Sequence, residues 1–213
     1  MTLATIATPL ASTASFPNGV RVVRLVAGSE LTRIHQANIG PLWFGPAPSK
    51  PAAYRFDATA GQYRTCYLAE RLDGAFVETI LHGRAGTRIL PRAFVDMRAW
   101  TVFHTLRDMT LVKLHDDGLL WHGTDASISS SDDYSEPRRV AMALHAQAPG
   151  VDGIAYRARH NNGEICFALF DRVTAADMST VSTTPFALAP SKTDELARNY
   201  GLAFDTSAPV PPP

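Results

Sequence analysis

The chain has 213 residues, 20 basic against 20 acidic, with 46% hydrophobic and 9% aromatic residues. That is ordinary globular composition, long enough for one sizeable core at roughly 100 to 200 residues per domain. The balanced charge gives no bulk reason to bind nucleic acid or an anionic membrane, and no apolar run approaches the length of a transmembrane helix.

Residues 1–18 are mostly small and apolar, lack the basic start of a secretory signal and are broken by Pro9, so they read as a disordered lead-in. Residues 20–26 are dominated by valine and predict a strand with Arg21 and Arg24 on opposite faces. Residues 29–34 have the spacing of a short helix. A turn-rich loop at 40–46 carries Trp43 and Phe44, rings that loops either hide or present to a ligand. Residues 53–57 then set Arg55 between two aromatics ahead of Gly61.

The stretch from Tyr63 to His82 is the organising element. Thr65–Ala69 is rich in strand formers and gives way at Gly74 to helical spacing of Ala75, Phe76, Thr79 and Ile80, which reads as strand, turn, helix. Glu78 and His82 stand four residues apart and share a face of that helix. Glu78 is flanked by Phe76, Val77, Ile80 and Leu81, at the edge of apolar surface, where a carboxylate needs a reason to be. A solvated glutamate paired with a cation is the ordinary alternative.

Farther on, residues 88–90, 98–106 and 110–114 predict strands, 116–133 a loop, and 136–146 a helix with Pro137 in its first turn. Residues 152–156 and 165–170 predict two strands joined by a polar, basic turn at 157–163, and 193–200 a terminal helix. The expected organisation is one domain over 19–172, an extension with a short helix over 173–205, and a proline-rich tail over 206–213. Cys66 and Cys166 lie in apolar runs and read as free thiols of a reducing cytoplasm. Glycine-rich phosphate loops, a nucleophile elbow and paired-cysteine motifs are absent from the sequence, and the seven histidines lack zinc-helix spacing, so no metal is expected.

The order of motifs is more telling than any one of them. Val23-Arg24-Leu25, Tyr54-Arg55-Phe56-Asp57 ahead of Gly61, Tyr67-Leu68-Ala69-Glu70, Ala75-Phe76-Val77-Glu78-Thr79 and Asp152-Gly153-Ile154-Ala155-Tyr156 with Arg159 together resemble the RES-domain family, the toxins of Xre-RES toxin-antitoxin pairs, over residues 20–172. The resemblance implies a mixed α/β (α+β) domain related to ADP-ribosyltransferases, with a central mixed sheet flanked by helices. It implies a cytoplasmic, growth-inhibitory enzyme that consumes NAD as substrate and is neutralised by an Xre-type antitoxin. Glu78 matches the family glutamate, Arg24 and Arg55 its arginine motifs, and Ala158 stands where its serine is expected, just before Arg159. That alanine removes a hydroxyl able to bind phosphate or position ribose; Ser129 to Ser131, Arg157 and His160 are candidate substitutes.

The residue chemistry fits the implied reaction. Breaking a nicotinamide glycosidic bond passes through an oxocarbenium-like ribose, which a carboxylate such as Glu78 stabilises. A pyrophosphate needs guanidinium forks, for which Arg24 and Arg55 are the choices. Tyr67 either meets nicotinamide or ribose, or is a core tyrosine with a satisfied hydroxyl. His82 either orients Glu78 or caps the helix end. Three classes stay open: NAD breakdown by phosphate or water, protein ADP-ribosylation, and an interaction protein that has lost chemistry, for which Ala158 is the support.

Overall fold

The computed structural model describes residues 4–10, 13–47, 49–84 and 86–208. Its elements run β1 (Ala4–Leu10), β2 (Val20–Leu25), β3 (Glu30–Gln36), β4 (Thr65–Ala69), α1 (Leu72–Thr79), β5 (Ile89–Pro91), α2 (Arg92–Asp96), β6 (Arg98–Thr105), β7 (Met109–Leu114), α3 (Asp117–Trp121), α4 (Ser127–Ser130), α5 (Ser135–Gln147), β8 (Gly153–Ala158), β9 (Asn161–Phe170), β10 (Met178–Pro185), α6 (Pro190–Asn199) and β11 (Ala203–Asp205). One sheet takes nine strands in the order β1-β2-β7-β8-β9-β4-β3-β6-β10, and β5 with β11 form a separate parallel pair. Within the large sheet β7 and β8 pair in parallel, joined by the crossover that carries α3, α4 and α5, and the other neighbours are antiparallel. This is the mixed α/β domain that the resemblance implies.

The connections dictate that the sheet bends. β6 and β7 stand five positions apart in the order, yet three residues join them. Five strand spacings amount to roughly 24 Å, whereas that link reaches at most about 14 Å. β2 and β3, also five positions apart, are joined by four residues. The β2–β7 side must therefore face the β3–β6 side. Val23, Leu25, Met109 and Leu111 from one half and Leu31 and Phe103 from the other accordingly share one buried cluster with Leu68 and Phe167. Alternate residues of the same strands, including Val22, Val112, Ile154 and Ala168, face the other way, into a second core with Phe76 and Val77 of α1 and Val140, Ala141 and Leu144 of α5.

Cys66 belongs to the first core and Cys166 to the second, both free, and burial pushes both thiols up, so neither is a ready nucleophile. Among the described residues no helix is long and apolar enough to cross a membrane.

Several expectations are corrected. Residues 4–10, read as part of a disordered lead-in, pair with β2 as an edge strand whose register shifts between Ala7 and Leu10, around Pro9. Residues 29–34 are strand rather than helix: the apolar pair Leu31 and Ile34 looks helical, but the bent sheet buries both faces of β3. The 157–163 turn shrinks to Arg159 and His160, because β8 runs to Ala158 and β9 starts at Asn161. The segment after residue 172 is integral, since β10 edges the sheet against β6 while Phe186 and Leu196 are fully buried. The loop expected over 116–133 contains α3 and α4. Of the proline-rich tail, residues 209–213 lie outside the described residues, as do 1–3 and 11–12 of the lead-in.

Arg107, in the short β6–β7 link, pins the bend. Its guanidinium donates to Asp152 at the start of β8 and to Asp177 at the start of β10, each at 2.8 Å. Arg107→Ala leaves the mostly buried Asp152 carboxylate with the Thr110 N–H alone and should lower unfolding free energy by about 2 kcal/mol. Arg24→Ala, which breaks a half-exposed 3.6 Å pair with Asp108, should cost under about 1 kcal/mol. Urea melts of both variants check the difference; equal losses would remove the pinning role.

Candidate active site

Helix α1 lies close on the sheet because Gly74 has no side chain: a Cβ there would stand 3.1 Å from the Ala69 Cβ and 3.2 Å from the Glu164 Cβ. The approach carries the last turn of α1 to the two-residue β8–β9 turn. There Glu78 Oε1 accepts the Arg159 N–H at 2.9 Å, and Oε2 accepts the Tyr156 hydroxyl at 3.3 Å. Burial raises the Glu78 pKa, while the Arg159 N–H, the Arg55 charge and the Tyr156 hydroxyl pull against it. Glu78 is thus a recessed carboxylate held by two donors and not a solvated surface residue.

Arg55 reaches the same space from the loop between β3 and β4. Asp57, fully buried, accepts the backbone N–H groups of Ala53 at 2.9 Å and Tyr54 at 2.7 Å and the Tyr67 hydroxyl at 3.0 Å. The Tyr67 oxygen in turn accepts the Phe56 N–H at 2.9 Å, and the Tyr63 hydroxyl donates to the Phe56 carbonyl. The loop is thereby fixed to β4 on both sides of Arg55. Arg55 is 7% exposed, its Nη1 has no hydrogen-bond partner, and its guanidinium lies 4.6 Å from the centre of the Tyr134 ring. Burial lowers its pKa, the signature of a cation placed where water cannot solvate it.

These groups line a cleft of about 350 Å³. Five arginines face it, at 33, 55, 84, 98 and 159, with Glu78 as the one carboxylate among the lining residues. Arg159 pairs with Asp132, while among the described residues the other four have no carboxylate partner. Trp43, Tyr54 and Tyr134 give the cleft large rings; Trp43 lies so close over Gly45 that any Cβ there would overlap the indole. Among the described residues no group of three His, Cys, Asp or Glu is arranged to hold a metal ion.

The structure brings together Glu78, Tyr67, Arg55 and Arg159, but not Arg24 or Ala158. Arg24 points away to Asp108 and does not line the cleft; Arg33, on β3, faces it. The misread helix at 29–34 hid that inward-facing strand position. The Ala158 methyl is fully buried in the core and also does not line the cleft. The Tyr67 ring lines the cleft while its hydroxyl is committed to Asp57 and Phe56. His82 neither caps α1, which ends at Thr79, nor bonds Glu78. It stands at the rim, 3.5 Å from the Tyr134 hydroxyl, with its pKa lowered by burial and by Arg55, Arg159 and Arg84. Of the candidate substitutes for the missing serine, His160 lines the cleft, Ser129 donates to the Ala126 carbonyl, and Arg157 turns to Asp116. Sequence reasoning missed Arg33, Arg84, Arg98, Tyr134 and Tyr156, which come from five separate elements or turns.

A family model, described as the RES domain, matches residues 30–189. No curated protein matches the chain. Among solved structures, a chain of the crystal structure of the M. tuberculosis MbcT-MbcA toxin-antitoxin complex superposes with a TM-score of 0.61 at 15% identity, covering 81% of this chain and 91% of that one.

The raised Glu78 pKa has a stability consequence. A carboxyl whose folded pKa lies above its unfolded value contributes stability that is present below the unfolded pKa and is lost as pH rises through the folded one. Glu78→Gln cannot ionise and escapes that loss. Its melting temperature should match wild type below about pH 4 and exceed it at neutral pH. A difference independent of pH, read by thermal melts across the range, would show that Glu78 is not held in a desolvated site.

Proposed function

The chain belongs to the RES-domain family, and from that premise we propose that it is a growth-inhibitory toxin that consumes NAD by cleaving the bond between nicotinamide and ribose. The observation that carries this reading is Arg55, a buried guanidinium with Nη1 unpartnered and no salt bridge among the described residues, facing a cleft whose one lining carboxylate is Glu78. A buried cation of this kind calls for an anionic ligand, and the NAD pyrophosphate supplies one. Arg159 and Arg33 are the further forks at hand, and Trp43, Tyr54 and Tyr134 offer faces for the flat bases.

In the proposed reaction the C1′–N bond breaks and its electron pair leaves with neutral nicotinamide. Positive charge then spreads over C1′ and the ribose oxygen, where Glu78, ionised and fixed by the Arg159 N–H and the Tyr156 hydroxyl, opposes it. A nucleophile (phosphate, water or a protein side chain) bonds to C1′ and completes the transfer. Tyr67 acts through Asp57 as a positioning residue for Arg55. The resident donors to Glu78 do not require a serine at 158, which weighs against reading Ala158 as a mark of lost chemistry. An Xre-type antitoxin that covers the arginine-lined cleft is the proposed partner, and the cytoplasmic NAD pool the proposed target.

Release of nicotinamide from NAD by the purified chain is the test. Glu78→Gln should lower kcat by about 10²- to 10³-fold with little change in NAD affinity. Arg55→Ala should instead weaken NAD binding, because a phosphate contact is made in ground and transition states alike. Arg24→Ala, outside the cleft, should leave both parameters near wild type. Wild-type turnover in Glu78→Gln would overturn the catalytic assignment. Labelled protein from labelled NAD, without dependence on added phosphate, would make protein modification the favoured outcome.

A further inference from the structure

Two of the five cleft arginines are left without work by a pyrophosphate held at Arg33, Arg55 and Arg159. Arg98 lies 3.9 Å and Arg84 4.5 Å from the centre of the Phe94 ring. Arg98 is fixed further by donating to the Phe94 carbonyl, and Arg84 by a 3.4 Å bond to the His82 carbonyl. Each thus has one N–H tied to backbone and a guanidinium laid on an aromatic ring, which leaves edge donors for a planar two-point contact. Among the described residues neither has a carboxylate partner. The two positive charges are near enough that Arg84 adds to burial in lowering the Arg98 pKa. Glu78 bonds the Arg159 N–H and Tyr156, whereas Arg84 and Arg98 are gathered on the Phe94 ring, with Arg84 tied to the His82 carbonyl between the two groups.

We infer that Arg84 and Arg98, braced by Phe94, form a second phosphate subsite that receives the adenosine 2′-phosphate of NADP, so that the cleft accepts the 2′-phosphorylated dinucleotide in preference to NAD. The inference rests on the dinucleotide reading above and names the substrate more narrowly. In Rossmann-type sites an acidic side chain on the adenosine 2′-hydroxyl marks NAD and an arginine marks NADP, and the same charge logic is applied here to a cleft of a different fold. The one carboxylate lining this cleft is Glu78, already engaged with Tyr156 and Arg159. A dianionic phosphate neutralises the repelling pair, which a neutral hydroxyl cannot do.

Binding tests the subsite whether or not the chain is active. Calorimetry on the full chain should show adenosine 2′,5′-bisphosphate binding at least tenfold more tightly than AMP, with Arg84→Ala and Arg98→Ala each reducing that ratio toward one and Arg98→Lys retaining part of it. Nicotinamide release should likewise favour NADP over NAD, and each alanine variant should lower that selectivity about tenfold. A wild-type ratio near one, or a ratio unchanged in both variants, overturns the inference. Cleavage of NAD with no preference for the 2′-phosphate would leave the dinucleotide reading standing and the inference fallen. NAD cleavage that needs inorganic phosphate, and needs far more of it in the Arg84→Ala Arg98→Ala double variant, would assign the pair to free phosphate and also overturn it.

Discussion

Arg55 is a cation held away from water with one nitrogen unpartnered, and much of the local architecture follows from keeping it so. Its loop buries Phe56, Ala58 and Tyr63 in the core, and the backbone on either side of Arg55 is fixed by polar contacts. Asp57 collects two backbone N–H groups and the Tyr67 hydroxyl, and Tyr63 takes the Phe56 carbonyl. Every one of those partners is satisfied, which is what allows such a network to fix a loop in one conformation. The arginine at its centre is the exception, and an unsatisfied group inside a satisfied frame is the physical mark of a place prepared for something else.

Glu78 is the counterpart on the opposite wall. Its position depends on two close approaches: Gly74 lets α1 settle against β4 and β9, and the two-residue β8–β9 turn brings the Arg159 N–H to its carboxylate. Neither depends on a long-range charge pair, so the placement is steric and directional. Burial disfavours the anion while Arg55 and two donors favour it, and burial wins. An anion that is costly to hold in the resting protein gains when positive charge forms beside it, which is the condition for acting on a transition state more than on a ground state.

How much of this was legible in the sequence depended on whether the signal was local. The β4–α1 unit with Glu78, the helix α5 and strands β6 and β7 stood out because their apolar spacing matches their geometry. Arg55 was legible from its aromatic neighbours. β3 was not, since both of its faces are buried by a bend that only the short links of distant strands reveal. β10 was illegible for the opposite reason: MSTVSTTP is mostly exposed, and its place in the sheet comes from backbone pairing with β6 and not from apolar burial. Arg33 was lost with β3, and Arg24 was chosen in its stead because it lies on a strand that the sequence displays plainly. Arg84 and Arg98 flank a phenylalanine in space, but fourteen positions separate them in the chain, and no periodicity records that.

A net charge of zero also concealed the site. The acids are not spread evenly over the bases: Arg64 with Asp171, Arg92 with Asp194, Arg107 with Asp152 and Lys113 with Asp117 neutralise one another elsewhere on the molecule, while the cleft lining holds five arginines to one carboxylate. Bulk charge steers association only out to about the screening length, roughly 8 Å in physiological salt, and the summed charge of the chain is zero. Inside the cleft the separations are shorter and the walls partly apolar, so the arginine excess acts at close to full strength on whatever enters. A chain with this distribution gains little from long-range steering and much from contact, and its selectivity for anions is therefore set by where individual guanidinium groups are held rather than by how many the sequence contains.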